Sequence, residues 1–228
     1  MRPVGILGGM GPEATILLMQ KVLGAVRAAD DADHLPLIVH QNPQVPSRIK
    51  ALLEGGGEDP GPVLAAMAQD LERAGAQALA MPCNTAHHYA DAVRAASDLP
   101  FLDMLELTAG HLAARGATRI GMLASPATRR VAVFDEIFAA HGLTPVWTGD
   151  EDEMLSIIRA VKAGAEMAPL GPRLRALAEA MSEGDAGADH WLVACTELSL
   201  MTGSLEGGPG WTDSLDCLVA GVAAFAQG

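Results

Sequence analysis

The stretch Gln77-Ala78-Leu79-Ala80-Met81-Pro82-Cys83-Asn84-Thr85-Ala86-His87-His88 decides the fold that this sequence predicts. Its first half is a short apolar run, which is typical of a strand buried on both faces of a parallel sheet. Its second half is polar and begins a helical pattern, so Cys83 lies where a strand ends and a helix begins. Because unpaired N–H groups at a helix N-terminus stabilise negative charge, we expect this site to favour a reactive thiolate.

The same layout occurs a second time, around Cys195. Ala74-Gly75-Ala76 begins nine positions before Cys83, and Ala186-Gly187-Ala188 begins nine positions before Cys195. In both copies a turn is followed by an apolar run and then by the cysteine. We infer two related half-chains, each of which delivers one thiol at the carboxyl end of a strand.

Strand-like and helix-like segments alternate along the rest of the chain, up to a closing helix predicted over residues 211–227. This alternation predicts an α/β fold with parallel sheets whose faces are covered by helices. Ligands of such sheets bind beyond the carboxyl ends of the strands. The loops with chemically suggestive residues all follow predicted strands; they are residues 8–15, 41–48, 83–85, 125–128 and 195–197.

Composition narrows the classes of function. The chain has 228 residues, half of them hydrophobic, and a net charge of −13 without a basic cluster, so we expect no nucleic-acid partner. No segment approaches the roughly 18 unbroken apolar residues of a membrane span, and the N-terminus lacks the layout of a signal peptide. The three cysteines are odd in number and lack metal-site spacing. We therefore expect free thiols, a cytoplasmic location and a packing role for Cys217.

Two motifs suggest cofactors, but each is incomplete. Gly9-x-Gly11-x-x-Ala14 resembles a dinucleotide fingerprint, which also needs an acidic residue about 20 positions later, after the second strand. That strand ends in His40-Gln41-Asn42, so a glycine turn that lines some other anion site fits better. His87-His88 is half a metal site without a partner cluster, and we expect no metal.

Several polar side chains flank the predicted strand ends. Arg48 follows the rigid Pro46 turn, where a guanidinium can hold a carboxylate through two hydrogen bonds, although an ordinary surface arginine fits equally well. Asn84-Thr85 and Thr196-Glu197 place hydrogen-bonding groups beside the two thiols, and the same residue types also cap helices. Lys162 lies in a predicted helix and reads as solvated from the pattern alone.

Four motifs together resemble the aspartate/glutamate racemase family, in the right order and over nearly the whole chain. The motifs are Gly5-Ile6-Leu7-Gly8-Gly9-Met10-Gly11-Pro12-Glu13-Ala14-Thr15, Pro46-Ser47-Arg48, Met81-Pro82-Cys83-Asn84-Thr85-Ala86-His87 and Cys195-Thr196-Glu197. The Cys-Asn-Thr-Ala-His block is highly specific, and the cysteine pair is the catalytic signature of the family.

This resemblance implies two similar α/β domains related by pseudo-two-fold symmetry, with the active site in the cleft between them. We assign the first domain to residues 1–100 with 208–228, and the second to residues 101–207. The resemblance also implies racemisation of an acidic amino acid without a cofactor, often by a homodimer, with aspartate ahead of glutamate as substrate.

The resemblance further implies roles for individual residues. Cys83 and Cys195 would be the catalytic pair. Substrate contacts are expected from Arg48 and Lys162 to the side-chain carboxylate, and from Asn84, Thr85, Thr128 and Thr196 to the α-carboxylate region, with Met10 and Glu197 as further substrate-binding residues. The chain departs from the common family pattern at Ala194, Phe134 and Ser125-Pro126, which weakens any inference about the substrate.

Two thiols suit a stereoinversion, because one group removes a proton from one face of a carbon while the other returns a proton to the opposite face. Two alternatives stay open at this point. One is a one-base lyase or cis–trans isomerase of a small dicarboxylate on the same scaffold. The other is a relative that binds a dicarboxylate without catalysis.

Overall fold

A computed structural model describes residues 1–184 and 186–228 of the chain. It contains two four-stranded sheets in which every neighbouring pair of strands is parallel. The strands are β1 (Val4–Gly8), β2 (Leu37–Gln41), β3 (Ala78–Ala80), β4 (Phe101–Leu102), β5 (Arg119–Leu123), β6 (Thr144–Trp147), β7 (His190–Val193) and β8 (Trp211–Asp213). The first sheet has the order β2-β1-β3-β4 and the second has the equivalent order β6-β5-β7-β8. The predicted α/β class with two similar halves is confirmed.

Helices cover both faces of each sheet. They are α1 (Pro12–Gly24), α2 (Gly61–Arg73), α3 (Ala90–Ala96), α4 (Met104–Ala114), α5 (Pro126–Arg130), α6 (Asp135–Ala140), α7 (Glu151–Lys162), α8 (Leu170–Ala180) and α9 (Ser214–Gln227). Helices α1 and α9 pack on one face of the first sheet and α2 on the other. Helices α7 and α8 pack on one face of the second sheet, and α4 and α6 on the other. Within the described residues, no helix combines the length and hydropathy needed to cross a membrane.

The repeated Ala-Gly-Ala turn has a packing role that is the same in both halves. A Cβ added at Gly5, in the central strand β1, would lie 2.9 Å from the Cβ of Ala76. A Cβ added at Gly121, in the central strand β5, would lie 3.1 Å from the Cβ of Ala188 and 2.9 Å from Trp191. Glycine in each central strand therefore allows the turn before β3 or β7 to pack closely against that strand.

The end of the chain differs from its prediction as one helix over residues 211–227. Trp211–Asp213 instead pairs with β7 as strand β8, and only the residues after it form α9. The side chain of Asp213 accepts a hydrogen bond from the N–H of Leu215 at 2.9 Å, so it caps the helix. A strand of three residues is too short to show an alternating hydrophobic pattern, so the sequence analysis included it in the helical pattern of α9.

The domain ranges predicted above remain a prediction, and the sheets suggest a small revision. Strand β4 joins the first sheet although it lies in the range 101–207, and β8 joins the second sheet although it lies in the range 208–228. We therefore propose a first domain of residues 1–102 and 214–228 and a second domain of residues 103–213.

Candidate active site

A cavity of about 620 Å³ lies at the carboxyl ends of the strands and is lined by residues of both halves. Cys83 follows β3 and Cys195 follows β7; both line the cavity, and each is 8% exposed. The other predicted site residues that line it are Met10, Arg48, Asn84, Thr85, Lys162, Thr196 and Glu197. Thr128 is not among the lining residues, but its hydroxyl oxygen lies 2.8 Å from that of Thr85. The structure thus brings the two thiols and all the predicted binding residues into one region.

The glycine turn after β1 forms one wall of this cavity. Gly9 has a φ of 94°, and a Cβ at this position would clash with the backbone of Asn42. The N–H of Gly9 donates to the hydroxyl of Thr15 at 2.9 Å. This turn is therefore held by the protein itself, and the N–H that a dinucleotide phosphate would use already has an acceptor.

His87 fixes the loop that carries Cys83. The N–H of Met104, at the start of α4, donates to His87 Nε2 at 3.2 Å, so the ring proton is on Nδ1. Nδ1 then donates to the carbonyl of Cys83 at 2.9 Å. Burial lowers the pKa of His87, which keeps the ring neutral. This histidine joins the Cys83 loop to α4, a role that the sequence did not reveal.

Cys195 is held in its protonated form. Its Sγ donates a hydrogen bond to Glu197 Oε2 at 3.0 Å, and Glu197 Oε1 is paired with the ammonium of Lys162. Burial, followed by the negative charge of Glu197, raises the pKa of the Cys195 thiol well above its ordinary value, and the charge of Cys83 adds to the shift. At Cys195, therefore, desolvation and a neighbouring carboxylate favour the thiol over the thiolate.

The pKa of Lys162 is raised, although burial, the largest single influence on it, acts in the opposite direction. The charge of Glu197 and the hydrogen bond to it outweigh that burial, and the two cysteines add smaller contributions. Lys162 is consequently a cation at neutral pH, and it supplies the positive charge that this acidic chain needs in an anion site.

Three hydrogen-bonded connections join the halves beside the thiols. In the first, Asn84 Nδ2 donates to the hydroxyl of Ser214 at 2.9 Å, and that hydroxyl donates to the carbonyl of Val193 at 3.0 Å. The hydroxyl has a single proton, so it must accept from Asn84, and this fixes the orientation of the amide. The other two connections are the Thr85–Thr128 contact and a donation from the Thr196 hydroxyl to the carbonyl of Pro82 at 3.4 Å.

As a result of this orientation, Asn84 Oδ1 is buried without a hydrogen-bond partner among the residues that the structure describes. A buried acceptor of this kind costs free energy unless a ligand supplies a donor. Sequence reasoning missed Ser214, because the residue lay inside the predicted closing helix and carried no motif.

Arg48 lies partly buried at the cavity. Its Nη1 donates to the carbonyls of Val45 at 3.3 Å and Pro46 at 2.9 Å, which orients the guanidinium from the turn that the sequence predicted. Its Nη2 and Nε have no acceptor within the described part of the chain, so they are free to hold an anion.

Comparison with known protein families gives a match over most of the chain. The sequence profile of the Asp/Glu/Hydantoin racemase family matches residues 7–225. The chain belongs to this family. The resemblance stated from the motifs is thereby confirmed, and the protein is a racemase, which is a class of isomerase.

Relatives of this racemase cover nearly its full length. The broad specificity amino-acid racemase RacX of Bacillus subtilis is 24% identical over 229 residues, which span 94% of each chain. An aspartate racemase from Picrophilus torridus superimposes with a TM-score of 0.89 at 26% identity, covering 100% of this chain and 95% of that one. An aspartate racemase homologue from Pyrococcus horikoshii superimposes with a TM-score of 0.78 at 22% identity over 100% of both chains, and it supports the fold alone.

The connection through Ser214 predicts a stability effect. Replacing Ser214 with Ala leaves Asn84 Nδ2 and the Val193 carbonyl without their buried partner, so the free energy of unfolding should fall by about 1–3 kcal/mol. Urea denaturation measures this loss. Ser204→Ala is the matched control, because that partly buried hydroxyl donates only to the carbonyl of Met201, and it should cost less than about 0.5 kcal/mol. Equal losses in the two variants would contradict the assigned role of Ser214.

Proposed function

We propose that this enzyme racemises an acidic amino acid, with aspartate ahead of glutamate, by transferring protons between the substrate and the two thiols Cys83 and Cys195. The observation that carries the proposal is that these thiols, one from each half of the fold, line a single cavity. One thiolate removes the α-proton from one face while the other thiol protonates the opposite face, and the roles exchange with the direction of reaction. No cofactor is needed in this scheme.

The α-proton of an amino acid is weakly acidic, so the site must stabilise the carbanion electrostatically. The hydrogen bonds at the cavity support different roles for its polar residues. Asn84 Oδ1, a buried acceptor without a partner in the described residues, suits the substrate ammonium, while the hydroxyl of Thr85, which can accept from Thr128, has a proton to donate to the α-carboxylate. The Thr196 hydroxyl donates to the Pro82 carbonyl and would have to give up that 3.4 Å hydrogen bond to donate to the α-carboxylate. This assignment moves Asn84 from the carboxylate role that the family resemblance implied.

The two cations at the cavity favour a second carboxylate on the substrate. Arg48 has free N–H groups, and Lys162 is charged but already paired with Glu197. One unpaired guanidinium therefore balances the single net negative charge of an acidic amino acid. Similarity to an aspartate racemase supports aspartate as the substrate. Similarity to a broad specificity amino-acid racemase supports a site that also accepts other amino acids.

The catalytic pair makes a direct prediction. Cys83→Ala and Cys195→Ala should each reduce racemisation of aspartate by at least about 100-fold, because each removes one of the two acid–base groups. Chiral chromatography over a panel of amino acids would measure the rates and rank the substrates. Cys217→Ala is the matched control, because that thiol lies in α9 outside the cavity, and it should retain activity. Activity that survives the loss of either cavity cysteine would instead support the one-base lyase or isomerase.

We also propose that the enzyme is a cytoplasmic homodimer. All three cysteines are free, which suits a reducing compartment. Helix α1 presents the side chains of Ile16, Met19 and Leu23 to solvent, 51%, 43% and 56% exposed, on one face at helical spacing. An exposed apolar stripe of this kind is a candidate surface for a second copy of the chain.

The dimer proposal has its own test. Sedimentation velocity at micromolar concentration should show a dimer for the natural chain and a monomer for the double variant Ile16→Glu, Leu23→Glu, because two carboxylates would be buried in the contact. The control Gln69→Glu adds a carboxylate at an exposed position of helix α2, on the opposite face of the sheet, and should stay dimeric. A natural chain that sediments as a monomer, or a double variant that remains dimeric, would contradict this interface.

A further inference from the structure

The segment that carries Arg48 belongs to the first half of the fold but is fastened to the second half. Residues 48–54 form a short helical segment, with Arg48 at its start and Glu54 at its end. Glu54 Oε1 accepts a hydrogen bond from Arg159 Nη2 at 2.8 Å, and this ion pair reaches helix α7 of the second half. Resting on the proposed racemisation, we infer that Arg159 is a positioning residue, which acts through Glu54 to hold Arg48 in place for the side-chain carboxylate of the substrate.

Hydrogen bonds hold this segment at both of its ends. Before its start, the carbonyls of Val45 and Pro46 accept from Arg48 Nη1, which ties the guanidinium to the backbone that leads into the segment. Near its end, the carbonyl of Leu53 accepts from Arg130 Nη1 at 3.3 Å, and Arg130 is the last residue of α5. The guanidinium is therefore tied to a backbone whose far end is held by two helices of the other half.

Helix α7 brings this contact close to the second cation of the cavity. Arg159 and Lys162 are three residues apart in α7, so they are neighbours on the helix surface. Lys162 lines the cavity, whereas Arg159 is not among the described residues that line it. The pair of Arg159 with Glu54 therefore connects the segment that carries Arg48 to the helix that carries Lys162. Because the two cations come from different halves, this pair helps to fix the distance between them.

The exposure of the pair sets the size of the expected effect. The side chains of Arg159 and Glu54 are 56% and 48% exposed, and an exposed ion pair of this kind changes an equilibrium constant by at most about fivefold. The side-chain carboxylate of the substrate is not the group that reacts, so a displaced Arg48 should weaken binding without slowing the chemical step. We therefore expect loss of the pair to raise KM for aspartate at an unchanged kcat.

Two single variants and their combination test this inference through the kinetics of aspartate racemisation. Arg159→Gln and Glu54→Gln should each raise KM by about threefold and leave kcat within about 1.5-fold of the natural value. A simple effect of charge would instead move KM in opposite directions, because loss of an arginine weakens the attraction for a dicarboxylate and loss of a glutamate strengthens it. The double variant should raise KM no further than either single variant, because one substitution already breaks the pair.

The matched control is Glu151→Gln, which breaks an ion pair between α7 and Arg129 of α5, inside the second half and at a similar exposure of 45% and 48%. It should keep the natural KM. An unchanged KM in both single variants, shifts of KM in opposite directions, or additive effects in the double variant would overturn the inference and leave the proposed racemisation intact. Absence of racemisation in the natural enzyme would overturn the proposed function together with the inference.

Discussion

The contact between the glycine of each central strand and the last alanine of each Ala-Gly-Ala turn is the constraint on which the site depends. At Gly5 and at Gly121 the backbone comes so close to the turn that no side chain fits. This contact positions the start of β3 against β1 and the start of β7 against β5. Because all strands are parallel, the cysteines that follow β3 and β7 both emerge at the carboxyl edges of their sheets. The positions of both cysteines thus depend on these two contacts between an alanine methyl group and a glycine.

Each half of the duplicated fold contributes one thiol to the cavity, but the surroundings of the two thiols differ. The Cys195 thiol is hydrogen-bonded to the carboxylate of Glu197, which is paired with the ammonium of Lys162. In the other half, His87 holds the Cys83 loop through the backbone carbonyl of Cys83. The buried network through Ser214 adds a further asymmetry, because it orients only the amide that follows Cys83. In the proposed mechanism, each face of the substrate would therefore meet an acid–base group in a different chemical environment.

Much of the fold and of the candidate site could be predicted from the sequence. The features that could not be predicted depend on long-range packing and on desolvation. The alternating elements, the repeated turn and the positions of both cysteines follow from local signals, because strand ends and turns are encoded by neighbouring residues. The pairing of Lys162 with Glu197 joins residues far apart in the chain and depends on how α7 packs. The protonated state of Cys195 depends on desolvation, which no spacing reveals. Strand β8 was not predicted because three residues are too few to show the alternating pattern of a strand.

The central claim is that two different groups serve the two faces of one carbon. Racemisation of α-deuterated aspartate in ordinary water tests this most directly, with the isotope content of the inverted product read by mass spectrometry at early times. The account predicts that the inverted product carries hydrogen from solvent, because the proton that arrives comes from the opposite thiol. Inverted product that retains the deuterium would show that a single group carries the same atom across both faces, and it would contradict the account.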